Sequence, residues 1–374
     1  MSQSSNRDDF FQTTASLEEQ KRKDAKAGNT HGRPVNLQSK ILALRADPGG
    51  ARAVFVAQSG GTVRRVLLET GETTTVYKGP TAPLTSLCFS EDGKLVFAGC
   101  WDKKVWSWEV DSGRPMKRYE GHTDFVKAVV TARVAGEEVL VSGGADAQII
   151  IFNIASGQRL AVHKGHARGI QDLVLDPLSL EVGAASKPVV VSAGSDREIR
   201  RFDLSLESSD QTALEPLLAH ETSVYRLFFD ADGDLWTASA DKTSKCLVRD
   251  DEWKPNLVLE HPDFVRDVVV YEAGGWVVTA CRDEEVRVWS RSTGELYHTF
   301  SGHFEEVTSL AFVGSTIVSA GIDGTVRQWS LRPDELRLAV EQARKPPVEE
   351  ENKPGDSLLT EEEERELAEL LEDD

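Results

Sequence analysis

The sequence predicts an all-β fold, a seven-bladed β-propeller, with a short N-terminal helical segment and an acidic C-terminal tail helix. Three observations support this fold class. A strand-turn-strand pattern recurs seven times, the copies follow one another at the period of a four-stranded blade, and hydrophobic residues make up 40% of the 374 residues, enough for a packed core.

The recurring pattern is clearest in residues 139–153, 189–203 and 315–330. Each segment begins as an apolar strand, places a hydroxyl residue four positions before an aspartate, and ends its second strand on an aromatic residue six positions after that aspartate. The weaker copies contain substitutions: Leu247 and Val66 for the aromatic residue, Ala98 for the hydroxyl residue and Gly60 for the aspartate.

The turn positions of the seven copies are 60, 102, 146, 196, 241, 283 and 323, so successive spacings are 42, 44, 50, 45, 42 and 40 residues. A period of 40–45 residues is that of one propeller blade. The long spacing contains residues 177–188, which we interpret as a loop insertion in the fourth blade. We therefore expect the propeller to span residues 37–343, after a polar and partly helical extension over residues 1–36.

A histidine precedes most copies, in the pairs Gly121-His122, Gly165-His166, Ala219-His220, Glu260-His261 and Gly302-His303. With this histidine, the turn aspartate and the later Trp or Phe, the chain resembles the WD-repeat (WD40) family over about residues 37–343. The Trp-Asp dipeptide of that family is nearly absent, and Phe202-Asp203 is the nearest match. The resemblance implies a propeller that binds other proteins and carries no catalytic residues and no cofactor.

The resemblance also implies a buried hydrogen-bond chain in each blade, running from Trp through Ser or Thr and His to Asp. We expect complete sets in two blades, formed by His261, Thr279, Asp283 and Trp289 and by His303, Ser319, Asp323 and Trp329. Two further sets lack the Trp, namely His122, Ser142 and Asp146, and His166, Ser192 and Asp196. A hydrolase uses such a Ser-His-Asp set once, in a cleft. Repetition at a structural period instead indicates a polar network that makes each blade rigid.

Partner binding is expected at the top rim, formed by the turns between the fourth and first strands and between the second and third strands. Family resemblance points to the residues three and five positions after the His and to the residue before the turn aspartate. Two clusters of aromatic and basic residues follow, Trp101 with Phe125 and Lys127, and Tyr225 with Phe264, Arg266 and Arg282. Aromatic residues and Arg dominate binding hot spots. Because the body of the protein is acidic, the two arginines favour an acidic or phosphorylated peptide as a ligand.

Ser16 and Glu19 form a capping box, which predicts a short helix over residues 17–27. The fourth strand of the last blade has two candidates that the sequence leaves open. Residues 335–340 alternate like a strand, and residues 34–37 are the alternative from the N-terminal side.

The C-terminal part, residues 344–374, is predicted to be an acidic linker followed by a short amphipathic helix. Residues 346–374 carry 13 acidic and 2 basic side chains, whereas residues 1–36 carry a net charge of +1 and the chain between them −9. Thr360 begins a second capping box, and an apolar stripe follows at Leu367, Leu370 and Leu371. The segment is either a solubilising disordered tail or a helix that docks in a basic groove or shields a basic client.

Composition excludes several classes of protein. No run of 18 apolar residues exists and the N-terminus lacks a basic-then-apolar leader, so we expect neither membrane insertion nor secretion but a nuclear or cytosolic protein. The four cysteines have no metal-ligand spacing, and no phosphate-binding glycine loop occurs, so no metal is predicted. A formal charge of −19 disfavours binding of a nucleic-acid backbone over a broad face.

The function that these features favour is a non-catalytic interaction scaffold, a subunit of an intracellular multiprotein complex. An escort chaperone for a basic client, such as a ribosomal protein or a histone, is the alternative that the acidic tail suggests. A substrate receptor of a cullin ubiquitin ligase is a further alternative. Receptors of that kind carry an aromatic-Asp pair with a base two residues on, and no blade here meets both conditions, since Phe202-Asp203 is followed by Ser205 and Arg332 follows Ser330.

Overall fold

The computed structural model describes residues 17, 21–24, 26, 28–180, 188–204 and 215–344. Seven antiparallel sheets confirm the predicted all-β propeller. The first three blades each contain four strands that follow one another in the sheet as they do in the chain. They are β2 (Ile41–Ala46), β3 (Ala53–Gln58), β4 (Val63–Leu67) and β5 (Thr73–Tyr77); β6 (Leu84–Phe89), β7 (Leu95–Cys100), β8 (Lys104–Glu109) and β9 (Pro115–Glu120); and β10 (Val126–Val134), β11 (Glu137–Gly144), β12 (Gln148–Asn153) and β13 (Arg159–Lys164).

Among the described residues of blade 4, which do not include 205–214, one bridge from Ile199 to Leu217 stands where the other blades have a fourth strand. Blade 4 contains β14 (Ile170–Leu175), β15 (Val189–Gly194) and β16 (Ile199–Asp203), and blade 5 contains β17 (Val224–Phe229), β18 (Leu235–Ser239), β19 (Thr243–Val248) and β20 (Lys254–Glu260). Blade 6 contains β21 (Val265–Tyr271), β22 (Trp276–Cys281), β23 (Glu285–Ser290) and β24 (Leu296–Ser301).

Blade 7 closes the ring with a strand from the other end of the chain. Its strands are β25 (Val307–Val313), β26 (Thr316–Gly321), β27 (Thr325–Ser330) and β1 (Val35–Asn36). Val35 pairs with Val326 and Asn36 with Thr325, so the N-terminal candidate is the one that completes this blade. Residues 335–340 instead lie within the helix Pro333–Arg344, which begins with proline and has Asp334 and Glu335 in its first turn.

The apolar core lies between consecutive blades. Six buried clusters each combine residues of two neighbouring blades, and the cluster that joins blade 7 to blade 1 contains Val318, Val326, Leu44 and Val54. The innermost strand of each blade contacts that of the next, and β2 contacts β25. Burial on both faces explains why the strands read as apolar runs rather than as a strict alternation.

The turn aspartate serves the same purpose in six blades. Its Oδ1 atom accepts a hydrogen bond from the backbone N–H two residues later, at 2.9–3.3 Å. The residue between them has a left-handed backbone with φ from +60° to +77°. The six aspartates are Asp102, Asp146, Asp196, Asp241, Asp283 and Asp323.

The two ends of the chain are described in part. Leu17, residues 21–24 and Lys26 are helical, within the range predicted for the N-terminal helix. Leu367, Leu370, Leu371 and the rest of the acidic tail lie outside the described residues. None of the described helices has the length and hydropathy needed to cross a membrane.

Candidate functional site

A β-bulge in the innermost strand of every blade directs one side chain into the top opening of the central channel. In each blade the pairing with the second strand skips one residue near the start of the first strand. A bulged residue is left out of the ladder, which changes where its side chain points. All seven bulge residues line one opening of about 410 Å³: Leu42, Thr85, Lys127, Gln171, Tyr225, Arg266 and Thr308.

Residues of the neighbouring turns complete this opening, which we call the top mouth. Trp101, Arg282 and Ile322 come from the turns between second and third strands, and Phe264 and Glu306 come from the loops before the first strands. Six of the seven predicted rim residues therefore line the top mouth, and the seventh, Phe125, stacks on Trp101. What the sequence suggests as two clusters is one site in the structure.

The first cluster is an aromatic stack with a lysine. The rings of Trp101 and Phe125 lie 4.8 Å apart and nearly parallel, at 13°. Trp101 remains 38% exposed and Phe125 37%, although both are large and apolar. Lys127 Nζ lies 5.6 Å from the centre of the Trp101 ring, close enough for a cation–π interaction. An exposed aromatic pair with a cation is typical of a binding hot spot.

The second cluster pairs each arginine with an aromatic face. The guanidinium of Arg266 lies 4.3 Å from the centre of the Tyr225 ring, and that of Arg282 lies 5.1 Å from Phe264. Arg266 also forms an ion pair with Glu306 at 2.5 Å, whereas Asp263 is 3.9 Å from Arg282. Each guanidinium group is therefore held by an aromatic face and has one acidic neighbour.

Below the top mouth the channel contains charged side chains that form ion pairs with one another. Arg226 Nε lies 3.1 Å from Asp267 Oδ1, and its Nη1 lies 3.5 Å from Asp172. The same two carboxylates accept backbone N–H groups of Leu227 and Leu310 from the following blades. Burial and Arg226 lower the pKa of the neighbouring Arg45 to about 10. These groups tie blades 4 to 7 together and are therefore committed to the fold.

Four blades contain the histidine relay. In blades 3, 4, 5 and 7 the histidine places Nδ1 2.8–3.0 Å from the turn aspartate and Nε2 2.6–2.8 Å from a buried hydroxyl group. A carboxylate accepts only, so Nδ1 donates and Nε2 accepts from the hydroxyl group. In blade 7, Trp329 Nε1 donates to Ser319 at 2.8 Å and completes the set. The sets are His122, Ser142 and Asp146; His166, Ser192 and Asp196; His220, Thr237 and Asp241; and His303, Ser319 and Asp323.

Blade 6 differs from the expectation of a complete set. His261 reaches Thr279 at 2.8 Å and Trp289 donates to the same hydroxyl group at 2.9 Å, but His261 Nδ1 lies 3.1 Å from the carbonyl oxygen of Leu259. Asp283 is bound by both guanidinium nitrogens of Arg287, which lies four residues later. The expected His261–Asp283 link is therefore absent. Burial, followed by the charge of Arg287, lowers the pKa of His261 to about 4.

The blade 5 relay through His220 was not among the sets expected from the sequence. Its signal was present in the spacing of Thr237 and Asp241, but Leu247 replaces the aromatic residue there. In blade 2, Trp106 Nε1 donates to Asp102 at 2.8 Å, so a tryptophan takes the part of the missing histidine. In blade 1, Gln58 bonds the carbonyl oxygen of Leu37 at 3.4 Å. The three blades without the histidine relay thus use other polar groups at this place, namely Gln58, Trp106 and Arg287.

Two groups of potential metal ligands occur among the described residues, but their donor atoms are already in use. His166 and Asp196 belong to the blade 4 relay, beside Glu198. Asp230 Oδ2 accepts from Trp236 and from Arg291, each at 2.9 Å, near Asp234 and Cys246. Burial raises the pKa of the Cys246 thiol to about 12, which disfavours the thiolate that a metal needs. We assign no metal to either group.

The comparisons with known proteins agree with the geometry. The WD domain, G-beta repeat family matches residues 71–109, 253–290 and 294–330. A WD repeat-containing protein of Schizosaccharomyces pombe is 33% identical over 349 residues, which cover 88% of this chain and 90% of that protein. Pre-mRNA-processing factor 19 of Bos taurus is 26% identical over 46% of this chain, and nuclear distribution protein nudF of Aspergillus niger is 26% identical over 50%. These alignments cover 32% and 40% of the two longer proteins.

Proposed function

This chain belongs to the WD-repeat family of β-propeller proteins, and we propose that it is a non-catalytic scaffold subunit of a nuclear multiprotein complex that binds its partner at the top mouth. The observation that carries the proposal is the ring of seven bulges, which gathers side chains from every blade around one opening. Exposed Trp101 and Phe125 beside Arg282 provide the residue types that dominate protein interfaces.

A non-catalytic function follows from how the polar groups are used. The buried hydroxyl group, histidine and aspartate recur in four blades and bind one another at 2.6–3.0 Å. A nucleophile must reach a substrate, whereas Ser142, Ser192 and Ser319 are fully buried. We infer that these sets hold the turns that carry the rim residues in position.

The nuclear location is inferred from relatives. Pre-mRNA-processing factor 19 is named for the processing of pre-mRNA, which takes place in the nucleus. It aligns with 46% of this chain, so we take from it the compartment and no particular complex.

The test is affinity purification with mass spectrometry, with the tagged wild-type chain compared with the double variant Trp101→Ala/Arg282→Glu. We expect the amount of the main partner recovered with the variant to be lower by about tenfold or more, because a hot-spot aromatic residue and a complementary charge are lost together. The matched control is Lys94→Ala/Arg114→Glu, which changes exposed bases in turns at the opposite end of the blades. Unchanged capture by the first variant, with an unchanged melting temperature, would refute the proposal.

The charge of the tail favours a second candidate function, escort of a basic client. Residues 346–374 hold 13 acidic against 2 basic side chains. A chain deleted for these residues would then lose a ribosomal protein or a histone from the purification while keeping the partner of the top mouth. If the deletion changes the recovery of neither ribosomal proteins nor histones, the escort function is refuted.

A further inference from the structure

The top mouth is basic, although the chain as a whole is strongly acidic. Two of the seven bulge residues are cations, Lys127 in blade 3 and Arg266 in blade 6, and Arg282 adds a third cation from the adjacent turn. Glu306 is the acid among the lining residues, and the fourth lining cation, Arg226, is paired with Asp172 and Asp267 deeper in the channel. The lining residues themselves therefore have an excess of two positive charges, with Asp263 as a further acid 3.9 Å from Arg282, on a chain of formal charge −19.

Lys127 is the least satisfied of these cations. It is half-buried, and its ammonium group forms no hydrogen bond or ion pair with a described residue. The face of Trp101 at 5.6 Å is its cation–π partner. Burial first, and then the charge of Arg266, lower the pKa of Lys127, against a smaller opposing effect of Asp124. An anion between Lys127 and Arg266 would remove both costs.

Arg266 has donors to spare. Its guanidinium lies 4.3 Å from the Tyr225 ring centre, and Nε faces Glu306 at 2.5 Å. Nε is taken up by the ion pair with Glu306, whereas the two terminal NH2 groups make no hydrogen bond with a described residue. The N–H donors of these two groups, in a planar fork, are suited to the oxygens of a phosphate or a carboxylate.

The size of the top mouth limits what can enter it. A volume of about 410 Å³ accommodates one or a few side chains, and it is too small for a folded domain. Trp101, Tyr225 and Phe264 provide apolar walls for the carbon atoms of such a segment. The ligand is therefore a short extended stretch of chain with an anionic group.

We propose that the top mouth binds a phosphorylated serine or threonine on an extended segment of the partner, with Lys127 and Arg266 holding the phosphate oxygens and Arg282 at the rim. A phosphate ester carries about −1.5 to −2 charges at neutral pH, which matches the excess of two positive charges among the lining residues, whereas one carboxylate neutralises only one. The proposal deepens the proposed function, because it specifies the chemistry of the partner at the same site.

The experiment uses the purified full chain, immobilised, and three peptide libraries with three degenerate residues on each side of a fixed centre. The centre is phosphoserine, glutamate or serine. We expect retention of the phosphoserine library to exceed that of the serine library by about tenfold, the effect of one charge-assisted contact pair. Lys127→Ala and Arg266→Ala should each abolish this difference, and Lys127→Arg should keep it. Lys94→Ala and Arg114→Ala are the matched controls and should leave it unchanged.

Melting temperatures of all variants verify that the propeller is intact. Equal retention of the three libraries would overturn the anion site, equal retention of the glutamate and phosphoserine libraries would overturn the choice of phosphate, and an unchanged preference in Lys127→Ala would place the phosphate elsewhere. These outcomes are separate from the partner-capture test. If capture of the partner still depends on Trp101 while the libraries show no preference, the proposed scaffold function is retained and the proposed phosphate ligand is refuted.

Discussion

At the residue scale, the side-chain oxygen of one serine in blade 7 forms hydrogen bonds with a buried acceptor and a buried donor at the same time. Ser319 donates to His303 Nε2 and accepts from Trp329 Nε1, both at 2.8 Å. In blade 3, Ser142 bonds His122 at 2.8 Å and the carbonyl oxygen of Ile150 at 3.4 Å, and it has no tryptophan donor because Phe152 stands at that position. The two blades form a natural pair for measuring what the tryptophan contributes.

We predict that Ser319→Ala lowers the free energy of unfolding by about 2–4 kcal/mol and that Ser142→Ala lowers it by about half as much. The first change leaves two buried polar groups without a partner and the second leaves one. Urea unfolding at pH 7.5 measures both. Equal losses would contradict the assignment of Trp329 as a member of the network.

The buried His261 should make the stability of the protein depend on pH. Its pKa is about 4 in the folded chain against an ordinary value of 6.5. At pH values between 4 and 6.5, His261 is protonated in the unfolded chain but neutral in the folded chain. The free energy of unfolding therefore falls as the pH drops from 6.5 to 4, by up to about 3 kcal/mol. Urea unfolding of His261→Gln between pH 7.5 and 4.5 should show a shallower decline than the wild type. The exposed His31→Gln is the control, and an undiminished slope in His261→Gln would contradict the account.

The same blade shows what sequence can and cannot predict at this scale. The spacing rules place Thr279 and Trp289 correctly on their strands and Asp283 in the turn between them, but they do not say which partner the aspartate takes. An arginine lies four residues after the aspartate in blades 4, 6 and 7. Arg200 binds Glu198 and Arg327 donates to carbonyl groups of the N-terminal segment. In blade 6, Glu284 and Glu285 are occupied by Lys26, so the arginine takes Asp283.

At the element scale, the turns between second and third strands store backbone strain. Arg197 has φ +69° and Gly324 has φ +75° at the same position of blades 4 and 7. A left-handed backbone costs a non-glycine residue roughly 1 kcal/mol or more. Arg197→Gly should therefore raise the unfolding free energy by about 0.5–1 kcal/mol, net of the flexibility that glycine adds to the unfolded chain.

Gly324→Ala should have the opposite effect and cost about 1–2 kcal/mol, because its new Cβ would also lie 3.2 Å from the backbone of Ser39. Urea midpoints of the two variants, measured side by side, test the pair. A loss of stability in Arg197→Gly would show that the turn is not strained.

Element prediction from sequence succeeded where two signals agreed. Each blade was placed by a spacing and by its turn residue together. Residues 335–340 had the alternation of a strand but also stood just after Pro333 and Asp334, which favour the start of a helix, and the structure has the helix. No single residue type predicts the bulges, since Leu42, Lys127 and Thr308 all occupy the same bulge position in their blades.

At the scale of the whole molecule, the ring depends on a strand that comes from far away in sequence. Beside the pairs of β1, the N–H of Gln328 donates to the carbonyl oxygen of Gly32 at 2.7 Å, and Arg22 and Lys26 form ion pairs with Glu284 at 2.7 and 2.8 Å. Deletion of residues 1–36 should lower the unfolding free energy by about 4 kcal/mol, roughly 1 kcal/mol for each backbone hydrogen bond lost and the ion pairs in addition.

Urea unfolding tests this closure, with deletion of residues 346–374 as the control. The control should leave the urea midpoint nearly unchanged. A midpoint unaffected by loss of residues 1–36 would show that the ring is closed without them.

The joining of the two predicted clusters is also a property of the whole molecule. Trp101 and Lys127 come from blades 2 and 3, and Tyr225 and Arg266 come from blades 5 and 6. The repeat period assigns each residue to a blade but contains no distance across the ring. Only closure of seven blades brings all four to one opening of about 410 Å³.

The central claim is that partners bind at the top mouth. Hydrogen–deuterium exchange of the full chain, alone and with the main partner recovered by affinity purification, tests it most directly. The account predicts slowed exchange at the backbone of residues 101–104, 122–127, 262–266 and 282–285, which carry the top mouth. Slowed exchange confined to residues 90–94, 110–114 and 153–158, in turns at the opposite end of the blades, would contradict it.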